Sequence, residues 1–296
     1  MKNNPVVGLK VRHPERSRGI SCMKKKGAPL IECWFERYVA TFAEGASLPF
    51  LLQLKYDHSL RVAENCRTLA HHSGWSDEDV ETAYLVGLLH DTGRFSQFRE
   101  YRTFFDRVSV DHAVRGIEIL RSFNVLHELP AARRRLIHEA VSLHNRKILP
   151  ATLKPPIARY ACLIRDADKI DIFKVVLDAI DDGSIARMPE LTFHLDLKGP
   201  LSPDTLTCLR ERKAIAYEQI RSLNDLVVLL LSWIYELAFE ASHELILRAQ
   251  VPDRIRSFLP PGDEIDTGCR AAGEWMRTRS AVYPAVCPKM IPGQGA

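Results

Sequence analysis

With 296 residues, 46 % of them hydrophobic and 26 % charged, the chain is long enough for one large domain or two small ones, and its composition is neither disordered nor fibrous. The 41 Lys and Arg against 37 Asp and Glu leave a formal charge of +4, spread thinly rather than gathered in an arm, so there is no electrostatic footprint for nucleic acid. The longest apolar stretch, residues 226–234 with Ser232 inside it, is about half of the roughly 20 residues that a membrane-spanning helix needs.

The seven cysteines form no C-x-x-C pair. They read as free thiols of a reducing cytoplasm, without disulfides. The first residues, MKNN and then KVRHPERSRG, lack the apolar core of a signal peptide, so a cytoplasmic location is expected.

Residues 1–29 are basic and without helical period, and read as a flexible or spurious leader with Met23 as a possible alternative start. From residue 30 the pattern changes. Ile31, Trp34, Phe35, Tyr38, Val39 and Phe42 recur at three- and four-residue intervals and predict an amphipathic helix. A second helix is predicted over 49–72, ending before Gly74, and a third opens at Ser76 as N-cap and ends in AYLVGLLHD. Its segment 83–89 has no charge and should be surrounded by protein. Further helices are predicted over 110–123, 131–144, 156–181, 203–221, 224–248 and 263–277, with loops around 95–110 and 183–203 and a loose tail at 280–296. Alternation of the strand kind is absent except for a few residues near 191–197. The expected class is all-α.

Eleven histidines carry information only where several share a point. His58 lies on the stripe of Leu51, Leu54, Val62, Asn65 and Leu69, so it faces inward. Taken alone it is better explained as a core histidine bonded to a backbone carbonyl. His90 and Asp91 close an apolar helix, where a buried carboxylate needs a neutralising cation. A metal ion would serve, and imidazole with carboxylate suits Zn, Fe, Mn, Co or Ni; the alternative is a cationic His at a helix C-terminus. In RDADKID, Asp168 and Asp171 share the inward stripe of Ile157, Ala161 and Ile164, whereas Asp166 is rotated onto the side of Arg159 and Lys169 and should face outward. Asp171 is either a partner that orients a ligand or a hydrogen bonder between helices. His112 and His144 can also point inward. His138 and the pair His71 and His72 read as bystanders, as do His13, His127, His194 and His243.

The order His58, His90–Asp91, Asp168, each within an apolar helix, resembles the HD superfamily of metal-dependent phosphohydrolases, whose pattern is H, HD and D. The strings DHSLRVAENC, LVGLLHDTGRF and IRDADKID carry the resemblance, and SVDHAVRGIEIL and VSLHN match the extra ligands of its binuclear members. The resemblance covers about residues 34–180 and implies an all-α HD-domain bundle at 30–182, with a C-terminal helical extension at 183–279 packed on it. It implies one metal held by His58, His90, Asp91 and Asp168, and a second by His112 and His144 with Asp91 bridging and catalytic. The cofactors would be two divalent ions among Mn, Fe, Mg, Co, Ni and Zn. Arg61, Arg94 and Lys169 are candidate phosphate contacts, each equally explicable as helix surface. Asp106 and Ser109, with Asp171, could orient ligands.

The expected function is metal-dependent hydrolysis of a phosphoester, in a nucleotide or another small phosphorylated metabolite, by a metal-activated water. The competing readings are a di-iron oxygenase of the same fold and a non-catalytic module that binds a nucleotide. No membrane partner is expected, and no aromatic-and-basic groove for nucleic acid is legible.

Overall fold

The computed structural model describes residues 26–188, 192, 195–213 and 215–279. The predicted tail and residues 1–25 of the predicted leader, with Cys22, Cys287, His13 and His194, lie outside them. Helix α1 (Ala28–Ala40) has Pro29 in its first turn and buries Ile31, Phe35, Tyr38 and Val39. Helix α2 (Phe50–His72) stops where Gly74 takes a φ of 68°, a left-handed conformation open to a residue without Cβ, and the Trp75 N–H donates back to the Ala70 carbonyl at 3.1 Å. Helix α3 (Asp77–Leu89) opens at Ser76, whose hydroxyl accepts from the Asp79 N–H at 3.2 Å. Every residue from Thr82 to Leu89 is buried, as the charge-free run predicts.

Two close approaches fix how these helices cross. A Cβ on Gly87 of α3 would stand 2.7 Å from Ala63 Cα, so α3 and α2 touch backbone to backbone. Gly93, in the first turn of α4 (Thr92–Tyr101), meets α5 (His112–Ser122) in the same way. A Cβ there would overlap the His112 carbonyl oxygen and lie 2.7 Å from the Gly116 nitrogen. Helix α4 corrects the loop expected from residue 95: Phe95 and Phe98 are buried on one face and continue the packing of α1.

Helix α6 (Ala131–Leu143) leads to α7 (Pro155–Asp181). The N-terminal half of α7 lies in a core shared with α1–α6, and Phe173, Val176 and Leu177 of its C-terminal half lie in a second core with the segments that follow. Those segments are more broken than their periodicity predicts. Helix α8 covers Pro203–Glu211 and ends at Arg212, which has a φ of 52°. The described residues in the remainder of the expected 203–221 helix are irregular apart from a 3₁₀ turn at Tyr217–Gln219.

The expected 224–248 helix is two, α9 (Leu223–Trp233) and α10 (Glu240–Arg248), because Asp166 intervenes. Its carboxylate accepts the N–H of Ala238 at 2.9 Å, the N–H of Phe239 at 3.0 Å and the Ser242 hydroxyl at 2.7 Å. Asp166 is therefore buried, not outward as its helical angle suggested; the C-terminal segment covers that face of α7. Helices α11 (Val251–Phe258), which the pattern did not show, and α12 (Asp263–Arg279) are the last of the described elements.

Among the described residues no β-sheet forms. Two isolated bridges occur, one of them between Asp196 and Ser222. Among the described residues no helix is long and apolar enough to cross a membrane. Cys66, Cys208 and Cys269 are free, but Cys33 and Cys162 are disulfide-bonded, which corrects the expectation of free thiols throughout. Pairing depends on distance in space, which spacing along the chain does not reveal.

Candidate metal centre

Six side chains from five segments meet at one end of the α2–α7 bundle. His58 comes from the middle of α2, His90 and Asp91 from the junction of α3 and α4, His112 from the first turn of α5, His144 from the end of α6 and Asp168 from α7. The Gly87 and Gly93 crossings bring these segments together. His58, His90, Asp91, His112 and His144 are all buried, at 7 % exposure or less. The Asp168 side chain is 24 % exposed and marks the mouth.

Each imidazole uses Nδ1 to donate to an oxygen. His58 Nδ1 donates to Asp171 at 2.7 Å, His90 to the Gly87 carbonyl at 2.7 Å, His112 to Asp106 at 2.6 Å and His144 to the Val141 carbonyl at 2.7 Å. In the neutral rings these bonds fix the tautomer, so all four Nε2 lone pairs point at the shared centre, whereas a protonated His58 would donate from Nε2 to Asp168. Asp91 divides that centre. Its Oδ2 lies 3.7 Å from His58 Nε2 and 3.5 Å from His90 Nε2, and its Oδ1 lies 3.4 Å from His112 Nε2 and 3.7 Å from His144 Nε2. On the first side Asp168 Oδ1 stands 3.1 Å from His58 Nε2 and 4.0 Å from His90 Nε2.

Lone pairs and carboxylate oxygens at these separations repel unless a cation sits among them. His90 Nε2 is buried and has no hydrogen-bond partner, an expensive state for a polar atom that a metal would relieve. The donor set, neutral nitrogen with carboxylate, suits a first-row divalent ion on each side of Asp91, and the groups His58, His90, Asp91 and Asp91, His112, His144 are each compact enough to hold one. A third compact group, Asp106, Asp111 and His112, serves other ends: Asp106 orients His112, and Asp111 accepts the N–H groups of Ala113 and Val114 as the cap of α5.

Burial pushes the His90 imidazole down to about 4 and that of His112 to about 3, so both are neutral near pH 7. For His58, burial and Lys55 oppose protonation, but the hydrogen bonds to Asp168 and Asp171 outweigh them and raise its pKa. Burial also opposes ionisation of Asp91, yet Lys55, His90, His144 and Arg94 together hold it well below the usual carboxylate range.

The cations expected at the phosphate divide differently. Arg94 lies against the centre, its Nε 3.5 Å from Asp91 Oδ1 and its Nη1 2.9 Å from Asp106. Arg61 is instead bound to Asp171 through Nε at 2.6 Å and Nη2 at 3.0 Å, so it acts on His58 through that carboxylate. Lys169 turns to the C-terminal segment, where its Nζ is 3.2 Å from Glu236. Ser109 accepts from Gln97 and donates to the Phe105 carbonyl, and is connected to His112 only through Gln97 and Asp106. The sequence reading missed Lys55, whose Nζ donates to Asp91 Oδ2 at 2.9 Å. The available signal was its position one turn before His58 on the same face.

The family model for the HD domain matches residues 56–172. This segment is an HD domain. All six converging residues fall inside it, together with Arg61, Arg94, Asp106 and Asp171, and Lys55 sits just before its first residue. The chain is similar to 3'3'-cGAMP-specific phosphodiesterase 1 of Vibrio cholerae, with 27 % identity over 135 residues. That similarity covers 44 % of this chain and 30 % of the relative, so the chain matches less than a third of the relative's length. No solved structure gives a significant match. The HD domain and the relative together support a metal-dependent phosphohydrolase family.

Proposed function

We propose that the chain hydrolyses a phosphoester of a nucleotide or a similar small phosphorylated metabolite with the help of two divalent ions. The observation that carries this reading is the division of one carboxylate between two sets of imidazoles: Asp91 Oδ2 faces His58 and His90, and Oδ1 faces His112 and His144. His58, His90, Asp91 and Asp168 would hold one ion, and Asp91, His112 and His144 the other. Ions so placed would supply Lewis acidity, making a water nucleophilic near neutral pH and offsetting charge on phosphoryl oxygens.

The chain's own groups do the rest. Asp171 and Asp106 keep His58 and His112 in the tautomer that presents Nε2. Arg94 and Lys55, on either side of Asp91, are the cations that meet phosphoryl oxygens, Arg94 with its Nε buried and unbonded. Burial of the centre excludes bulk water and strengthens these interactions. The specificity printed in the relative's name, a cyclic dinucleotide, supports a nucleotide-like substrate.

The test is metal quantification on protein purified without chelator, followed by a phosphate-release screen with Mn, Mg, Co and Ni, for the wild type and for His90→Ala and Asp91→Ala. Metal-dependent release that both substitutions abolish supports the proposal. Metal content and release unchanged in the variants would end it. Oxygen uptake by the iron-loaded protein without phosphate release would transfer the site to oxygenase chemistry, and nucleotide binding without turnover would make it a regulatory module.

A further inference from the structure

Gln97, in the second turn of α4, is fully buried, and its amide has every bond it can make. Nε2 faces three oxygens: Asp106 Oδ1 at 2.9 Å, the Ser109 hydroxyl at 2.8 Å and the Val110 carbonyl at 3.0 Å. Oε1 accepts from Arg94 Nη1 at 3.0 Å. Ser109 donates its own hydrogen to the Phe105 carbonyl at 2.6 Å, so toward Gln97 it can only accept. The orientation of the amide is thereby assigned, because turned over it would set its oxygen against a carboxylate and a carbonyl.

These bonds reach two different parts of the centre. Arg94 Nη1 is shared among Gln97, Asp106 Oδ1 at 2.9 Å and the Phe104 carbonyl. The guanidinium is held by that one nitrogen, and its Nε, buried and unbonded, stands 3.5 Å from Asp91 Oδ1. Asp106 meanwhile accepts from Gln97 and Arg94 at Oδ1 and from His112 Nδ1 at Oδ2, the last at 2.6 Å. It cannot turn toward one set of donors without leaving the other. Gln97 also fastens residues 106–110 to α4, the stretch whose 3₁₀ turn at Asp106–Val108 leads into α5 and His112. His58 and His90 take their orientation elsewhere, from Asp171 and the Gly87 carbonyl.

Resting on the phosphohydrolase reading, we propose that Gln97 is a positioning residue that sets two groups at once: Arg94 toward a phosphoryl oxygen and, through Asp106, His112 toward the second ion. It touches neither substrate nor metal. The ion at His58 and His90 is indifferent to it, because their partners lie outside this network.

The experiment removes the amide with Gln97→Met, a side chain of similar length without strong hydrogen-bonding atoms, in the full chain. Titration calorimetry follows Mn alone, then inorganic phosphate at saturating Mn. The expected result is a loss of about 10- to 100-fold in affinity for one of two Mn equivalents, with the other unchanged, and a loss of about tenfold for phosphate. Phe95→Leu, on the same helix but packed against Phe35 and Phe42, should lower the melting temperature and move neither affinity. If Gln97→Met does not fold, Gln97→Asn, whose amide falls one methylene short of the same partners, gives the same readout. A folded Gln97 variant with unchanged Mn and phosphate affinities, both Mn equivalents weakened alike, or the same losses in Phe95→Leu would overturn the inference. Selective loss of one Mn equivalent and of phosphate affinity, in a chain whose wild type releases no phosphate from any ester, would sustain the role of Gln97 and sink the hydrolase reading, so the two failures are distinguishable.

Discussion

His112 Nε2 and His144 Nε2 face each other at 2.9 Å although each ring already donates through its Nδ1, one to Asp106 and one to the Val141 carbonyl. Two lone pairs so close require a cation between or beside them, and Asp91 Oδ1 stands 3.4 Å and 3.7 Å from the same two atoms. His144→Ala or His112→Ala should therefore remove about one equivalent of bound metal while the ion at His58 and His90 remains. Elemental analysis of the purified variants reads this directly. Unchanged metal content in both would show that the pair is held by a shared proton instead.

Chelation should lower stability, because an ion that binds only the folded state contributes about 4 kcal/mol at a thousandfold excess over its Kd. In the stripped protein Lys55 is the closest cation to Asp91. Lys55→Ala should then cost about 3 kcal/mol, since it strands a buried carboxylate, and much less when Mn is restored. Thermal melts of both proteins with and without chelator provide the comparison. An equal cost in the two conditions would mean that Lys55 and the metal do not serve the same charge.

Gly93→Ala places a methyl group against the His112 carbonyl oxygen and the Gly116 nitrogen, both backbone atoms that a rotamer change does not relieve. The expected loss is about 3 kcal/mol, together with a displacement of His112 relative to Asp91. Urea unfolding and metal content should fall together. A stable variant with altered metal binding alone would show that α4 and α5 separate more freely than the close approach implies.

Arg61 grips both oxygens of Asp171, which in turn holds His58 at Nδ1. A residue that acts through another's orientation should change metal affinity rather than substrate affinity. Arg61→Ala is expected to weaken metal binding by about 10- to 100-fold with KM at saturating metal little changed. A raised KM with unaltered metal affinity would return Arg61 to the phosphate.

Asp166 links the two cores. Burial pushes its carboxyl up to about 6 in spite of the Ser242, Phe239 and Ala238 donors. In metal-free protein the native state then binds more protons than the unfolded chain between about pH 4 and pH 6, so the stability it contributes falls as pH rises through that window. Relative to Asp166→Asn, which does not titrate, wild-type stability should drop by up to about 3 kcal/mol between those limits. Relative to Asp166→Asn, Asp166→Ala should cost about 2 kcal/mol at any pH, because it leaves the donors unpaired. Urea midpoints across pH measure both effects, and parallel pH curves for the wild type and Asp166→Asn would refute the shift.

Local pattern carried the reading furthest where one side of a helix meets one kind of surroundings. The stripe on α2 put His58 inward, the charge-free run of α3 foretold burial on all sides, and Ser76 and Gly74 marked real helix ends. The pattern failed where a distant side chain intervenes. Asp166 looked outward because its helical angle says nothing of the segment that later covers that face, and the same carboxylate splits the 224–248 helix by capping α10. Arg61 and Lys169 lie near His58 and Asp168 in sequence, yet their partners, Asp171 and Glu236, were decided by packing.

The amino-acid order by itself predicted an all-α chain, because periodicity and end signals are properties of neighbours a few positions apart, and its resemblance to the HD superfamily nominated the six converging residues. Only the tertiary structure decided that Lys55 stands at Asp91 and that the C-terminal segment covers Asp166. Those facts depend on angles between helices, and such angles are set by contacts like Gly93 on His112, which join segments many residues apart.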